Sequence, residues 1–271
     1  MNDFRSRLLG AQAKNRSMLC VGLDPEPAKF PAPWTGDASR IFDFCRSIVD
    51  ATRDLVCAFK PQIAYFAAQR AEDQLERLLA HIREVAPEVP VILDAKRGDI
   101  GATAEQYARE AFVRYRADAL TLSPFMGLDS IEPYMRHDGK GLILLCRTSN
   151  PGGDDLQAQA LSGGDKLYEH IARLAAGEWS RRCSQLGLVV GATYPAEVAR
   201  VRELAPTLPL LIPGIGAQGG DAEATVRAGH RQDGPIVVSS SRAVLYASAG
   251  ADFAAAARRA AEATRQQLQR A

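Results

Sequence analysis

The stretch VPVILDAKRGDIGATAEQYARE, residues 89–110, gathers Asp94, Lys96, Arg97 and Asp99 at the end of an apolar run. Burying charge is costly unless it is paired, so charges where a buried strand should finish need a partner or a task. Two more stand at comparable places: Asp24 after the apolar residues 18–23, and Lys60 closing residues 55–60. Side chains alternate along a strand, which puts Asp94 and Lys96 on one face and the small Ala95 on the other. Ionisable groups collected at one rim, with no matching charge at the strand starts, suit electrostatic and acid–base chemistry. A structural ion-pair network closing the rim is the competing reading. Arg97 is expected to be a structural or interface charge, and Arg97-Gly98-Asp99 a chance match to an adhesion triplet.

A second constellation suits an anion. PGIGAQGGD, residues 213–221, follows one apolar run and opens a predicted helix; SSSR, residues 239–242, follows the last such run. Glycines let backbone amides approach a phosphate, a helix N-terminus favours negative charge, and Arg242 can grip phosphate oxygens in pairs. The glycine spacing at 214–219 falls too late in the chain for a dinucleotide fingerprint. His81, His137, His170 and His230 show neither H-x-x-x-H nor H-x-H spacing, which speaks against metal ligation. The chain has no G-x-S-x-G elbow, which speaks against a serine hydrolase.

The elements that must position these residues are legible as an alternation. Apolar runs of strand length fall at 18–23, 55–60, 89–93, 117–122, 142–146, 187–191, 208–212 and 235–239. Several are apolar throughout, as parallel strands buried on both faces are. Helical spacing of apolar residues marks 38–52 and 66–85, with further helices expected at 102–115, 164–185, 195–204, 221–229 and 251–269. Eight strand–helix alternations predict a single (β/α)8 barrel domain over residues 1–271, whose strand C-termini converge on one mouth. A doubly wound open sheet would more often carry a glycine fingerprint after its first strand, where this chain has VGLDP. Residues 150–166 form a long Gly/Asp-rich loop, a lid candidate.

Composition narrows the function classes. With 46% apolar and 24% charged residues, the 271-residue chain can bury a sizeable core. A net charge of +1 argues against a nucleic-acid partner. No segment approaches the length of a membrane span, and the charged residues 1–17 lack the apolar core of a signal peptide. The five cysteines are odd in number and include no C-x-x-C pair; Cys20, Cys57 and Cys146 are expected as buried thiols. A cytoplasmic protein is expected.

Taken together, VGLDP (21–25), FKPQIAYFA (59–67), LDAKRGDIGAT (93–103), TSNPGG (148–153), PGIGAQGGD (213–221) and SSSR (239–242) resemble the orotidine 5′-phosphate decarboxylase family, in its longer bacterial subgroup. The D-x-K-x-x-D element at 94–99 is shared with a wider superfamily, whereas FKPQIAYF and DAKRGDIGAT together are specific. The resemblance implies decarboxylation of orotidine 5′-monophosphate to UMP, the last step of de novo pyrimidine synthesis, with no cofactor and no metal. It implies a catalytic array of Lys60, Asp94 and Lys96, completed by Asp99 from the other subunit of a homodimer. Asp24 would contact the ribose, Thr103 the partner's ribose, Ser149 the pyrimidine edge, and Gln218 and Arg242 the 5′-phosphate.

In this scheme Lys96 both stabilises the carbanion left at C6 and delivers its proton. Residues 150–166 and 217–221 are the expected lids over base and phosphate. Three rivals remain at this level: a magnesium-dependent sugar-phosphate decarboxylase or aldol synthase, a Schiff-base aldolase using Lys60 or Lys96, and a non-catalytic phosphate-binding barrel.

Overall fold

The fold is described from a computed structural model, for residues 3–214 and 221–270. Eight strands, β1 (Leu19–Leu23), β2 (Ala58–Pro61), β3 (Ile92–Arg97), β4 (Ala119–Leu122), β5 (Gly141–Arg147), β6 (Leu186–Val190), β7 (Leu210–Pro213) and β8 (Ile236–Ser240), make one sheet. Their order is β2-β1-β8-β7-β6-β5-β4-β3, every neighbouring pair parallel. The ring closes between β2 and β3 through the single parallel bridges Phe59–Val91 and Gln62–Asp94. The predicted (β/α)8 barrel is therefore the observed architecture.

Burial on two faces explains the unbroken apolar strands. Cys20, Ala58, Ile92, Ala119, Ile143, Val189, Leu211 and Val237 fill the barrel interior. Their chain neighbours Val21, Phe59, Leu93, Leu120, Leu142, Leu188, Ile212 and Val238 face outward onto the helices. Helix Ile41–Thr52 answers with Ile41, Phe44, Cys45, Ile48 and Val49, and helix Glu72–Val85 with Leu75, Leu78, Leu79 and Ile82. This i, i+3, i+4 spacing gives each helix one apolar stripe. Among the described residues no helix is long and apolar enough to cross a membrane.

The expected helices are interrupted where the backbone must turn. The 66–85 segment is two helices, Ile63–Ala67 and Glu72–Val85, separated by Arg70 at φ 52°. The 102–115 segment changes from the α-helix Gly101–Arg109 to a π-helical turn, Glu110–Arg114. The 164–185 segment ends its α-helix at Ala176, before Gly177, and continues as the short turn Trp179–Arg181.

Helix Phe4–Asn15 was not expected, and it plugs the N-terminal end of the barrel. Phe4 and Leu8 insert into the interior cluster. Gly141 makes room for Phe4, since a Cβ there would lie 2.3 Å from its ring. This end is not free of charge, contrary to expectation. Asp118, just before β4, pairs with Arg7 of the plug and accepts from the Val91 amide at 2.8 Å. Nearby, Lys140 donates to the Ala117 carbonyl at 2.7 Å. Asp118 fastens the plug, and Lys60, Asp94 and Lys96 lie at the opposite end of the strands.

Candidate active site

At the opposite mouth the predicted charges meet. Lys60 on β2 donates to Asp94 Oδ2 on β3 at 2.9 Å, and Lys96 Nζ donates to Asp94 Oδ1 at 2.6 Å. One buried carboxylate thus carries an ammonium on each oxygen. Burial alone would depress the Lys60 ammonium, but the carboxylates of Asp94 and Asp24 outweigh it and hold it above its ordinary value. Burial would likewise raise the Asp94 carboxyl; Lys60 and Lys96 overcome this and keep it well below the usual carboxylate range. Lys60 and Asp94 are almost closed off from solvent, whereas the Lys96 side chain is 46% exposed, open to the mouth.

The pairing of Asp94 with Lys96 does not come from simple strand alternation. β3 extends through the charged residues to Arg97, and its register against β4 shifts between Leu93 and Arg97. Within that irregularity Lys96 takes φ 46°, a left-handed conformation uncommon for a side-chain-bearing residue. Ala95 packs on the outer core, as expected.

The remaining predicted residues surround this array unevenly. Asp24 follows β1, and its Oδ1 is buried without a hydrogen-bond partner among the described residues. Asp99 accepts from the Ile100 amide at 2.8 Å and makes no ion pair with Lys96 among the described contacts. Thr103 is exposed on helix Gly101–Arg109. Ser149 follows β5 and presses on Gly191 after β6, where a Cβ would lie 2.8 Å from the serine's own. Arg242 is exposed at the start of the short helix Arg242–Leu245. Gln218 and most of the 217–221 lid lie outside the described residues. Asp221 is described: it caps helix Ala222–Gly229, accepting from the amides of Glu223 and Ala224. The cap thus satisfies two of the first amides of this helix.

Three contributions were missed. Thr121, inside β4, hydrogen-bonds the Asp94 carboxylate at 2.9 Å. Arg147, at the end of β5 and nearly inaccessible, binds Glu197 at 2.7 Å and Asp154 at 2.5 Å. It thereby ties the 150–166 segment, which holds a 3₁₀ turn at Pro151–Asp155 and an Ala160–Lys166 bridge, to helix Pro195–Leu204. The Tyr246 hydroxyl donates to the Asp24 carbonyl at 2.9 Å and accepts from the Glu26 amide at 2.7 Å, joining the first and last strand ends. Arg97, as expected, is structural: it forks onto Glu110 at 3.0 and 2.8 Å and stacks over Tyr107. Among the described residues no three metal-ligating side chains converge.

A barrel with a Lys-Asp-Lys array at its C-terminal mouth, Lys60 and Asp94 buried and Lys96 open to the mouth, defines an enzyme of the (β/α)8 class. Residues 17–260 match the family model described as orotidine 5′-phosphate decarboxylase / HUMPS family. The chain is 72% identical to the orotidine 5′-phosphate decarboxylase of Methylibium petroleiphilum, with 98% of each chain covered. It is equally similar, 72%, to that of Paracidovorax citrulli, over 98% of this chain and 97% of the relative. Among solved structures it resembles Leishmania donovani OMP decarboxylase at TM-score 0.84, 37% identity and 99% coverage of each chain. The chain belongs to the orotidine 5′-phosphate decarboxylase family.

Proposed function

We propose that this chain, as a single barrel domain, converts orotidine 5′-monophosphate to UMP and CO₂, the last step of de novo pyrimidine synthesis. The observation that carries the reading is the array itself: a half-exposed ammonium, Lys96, held at 2.6 Å from a buried carboxylate whose other oxygen is taken by Lys60. Breaking the C6–carboxylate bond leaves an electron pair in the plane of the pyrimidine, where the ring cannot delocalise it. A fixed cation beside C6 stabilises that pair, because a preorganised charge needs no reorganisation during the reaction. Lys96 then transfers a proton from Nζ to C6 and recovers it from solvent. No step calls for a metal or an organic cofactor.

The substrate roles are those that membership of the family implies. The unpartnered Oδ1 of Asp24 is a buried acceptor suited to a ribose hydroxyl. Arg242 supplies a guanidinium for the 5′-phosphate with Gln218, and Ser149 reads the pyrimidine edge. Phosphate binding energy is available to organise the array, so its loss damages chemistry as well as affinity.

The active unit is a homodimer. In the chain Asp99 and Thr103 flank Ile100, which is 53% exposed, and Phe125, after the neighbouring strand β4, is 76% exposed. Apolar side chains so exposed on this side of the mouth fit burial against a second copy that receives Asp99 and Thr103 in its site. Five free cysteines fit a reducing cytoplasm. Loss of orotidylate absorbance on mixing, undiminished by excess EDTA, is the expected result. Unchanged absorbance overturns the reading, and chelator-sensitive turnover transfers the chain to the metal-dependent branch.

A further inference from the structure

Thr121 is uncharged and buried in the barrel wall, yet one hydroxyl joins it to the array at three points. On β3 and β4, Leu93 pairs with Leu120 and Arg97 with Leu122, which leaves Asp94, Ala95 and Lys96 opposite Thr121 alone. Such a bulge disrupts the ladder and takes backbone amides from their usual acceptors. Buried amides need a partner. Thr121 Oγ1 accepts from the amides of Ala95 and Lys96, each at 3.0 Å, and donates to Asp94 Oδ1 at 2.9 Å. A hydroxyl has two lone pairs and one proton, so this one is saturated. With both lone pairs engaged, its proton is committed to Asp94.

We propose that Thr121 is the positioning residue of the array: its hydroxyl fixes the bulge that aims Lys96 and orients the carboxylate that receives it. A strained backbone and a shared acceptor converge on this oxygen. Lys96 has φ 46°, a conformation that persists only where surrounding contacts over-determine it, and its own amide is one of the two bound to Thr121. The Lys96 ammonium and the Thr121 hydroxyl share the same carboxylate oxygen, Asp94 Oδ1. A mere filler would not need the hydroxyl, since valine has the same shape and suits a strand at least as well. The inference rests on Lys96 as the proton donor and adds what holds it in register.

The test compares Thr121→Val, Thr121→Ser and Lys96→Ala, with folding checked by thermal unfolding and site integrity by UMP affinity. Thr121→Val is expected to lower kcat about 100-fold, the scale of a small misplacement of a catalytic group. KM and UMP affinity should stay within about threefold, because the loss falls on the chemical step. Thr121→Ser, which keeps the hydroxyl, should restore kcat to within about threefold of the parent. Equal kcat for Val and Ser, or a loss confined to KM, overturns the inference provided Lys96→Ala is inactive. An active Lys96→Ala overturns the proton-donor reading instead. If Val does not fold, Thr121→Ala against Thr121→Ser decides by the same ratio.

Discussion

The Lys60 ammonium and the Asp94 carboxylate meet at 2.9 Å in the barrel mouth, and neither side chain is more than a tenth exposed. Removing one member of such a pair strands the other charge in a poorly solvated place. The pair also makes stability depend on pH. Asp94 is held below its unfolded value, so its contribution is present above about pH 4 and is lost as pH falls through the native value. Lys60 is held above its unfolded value, so its contribution is complete below about pH 10 and is lost only as pH rises further. Denaturant titrations of the parent and Asp94→Asn should differ by a gap that is constant from pH 6 to 8 and narrows below pH 4. A gap independent of pH down to 2 would contradict the pairing.

Arg242→Ala should lower kcat/KM for orotidine 5′-monophosphate about 10- to 100-fold, the loss of a charge-assisted contact. Turnover of orotidine without its phosphate should be nearly unchanged. Comparing the two substrates in one assay checks the assignment, and equal losses on both would contradict it.

Asp99→Ala and Lys96→Ala should each be inactive alone. In a heterodimer one mixed site keeps both residues, so random equal mixing should return about a quarter of the parent's activity. Verified heterodimers without activity would mean that Asp99 serves its own subunit or none.

Why some of this was legible and some was not has physical causes. The eight strands could be read because burial on both faces makes them apolar at nearly every position, as in Leu188, Val189 and Val190. Lys60, Asp94 and Lys96 could be read because charge against that background is conspicuous. The β3 bulge could not, because it is a property of register against β4 and not of the residues in β3. Arg147 and Glu197 stand 50 residues apart, and their pairing exists only once β5 and the helix after β6 are neighbours. The Phe4–Asn15 plug was hidden for a different reason: polar and charged residues outnumber its buried Phe4, Leu8 and Ala11.

Arg147→Met should destabilise the fold by roughly 2 kcal/mol, less than a fully dry pair because Asp154 faces solvent. It should also raise KM for orotidine 5′-monophosphate, since the Pro151–Asp155 turn beside Ser149 loses its anchor. Thermal unfolding and steady-state kinetics on the same preparation check both parts. A fall in stability with KM unchanged would confine Arg147 to the scaffold.

The central claim is that Lys96 performs the chemistry. Its most direct measurement is single-turnover decarboxylation by Lys96→Ala at saturating orotidine 5′-monophosphate, with UMP affinity recorded alongside. The predicted result is a rate reduced by about 10⁴-fold or more, combining the loss of the cation and of the proton donor, while UMP still binds. A rate within tenfold of the parent would contradict the assignment.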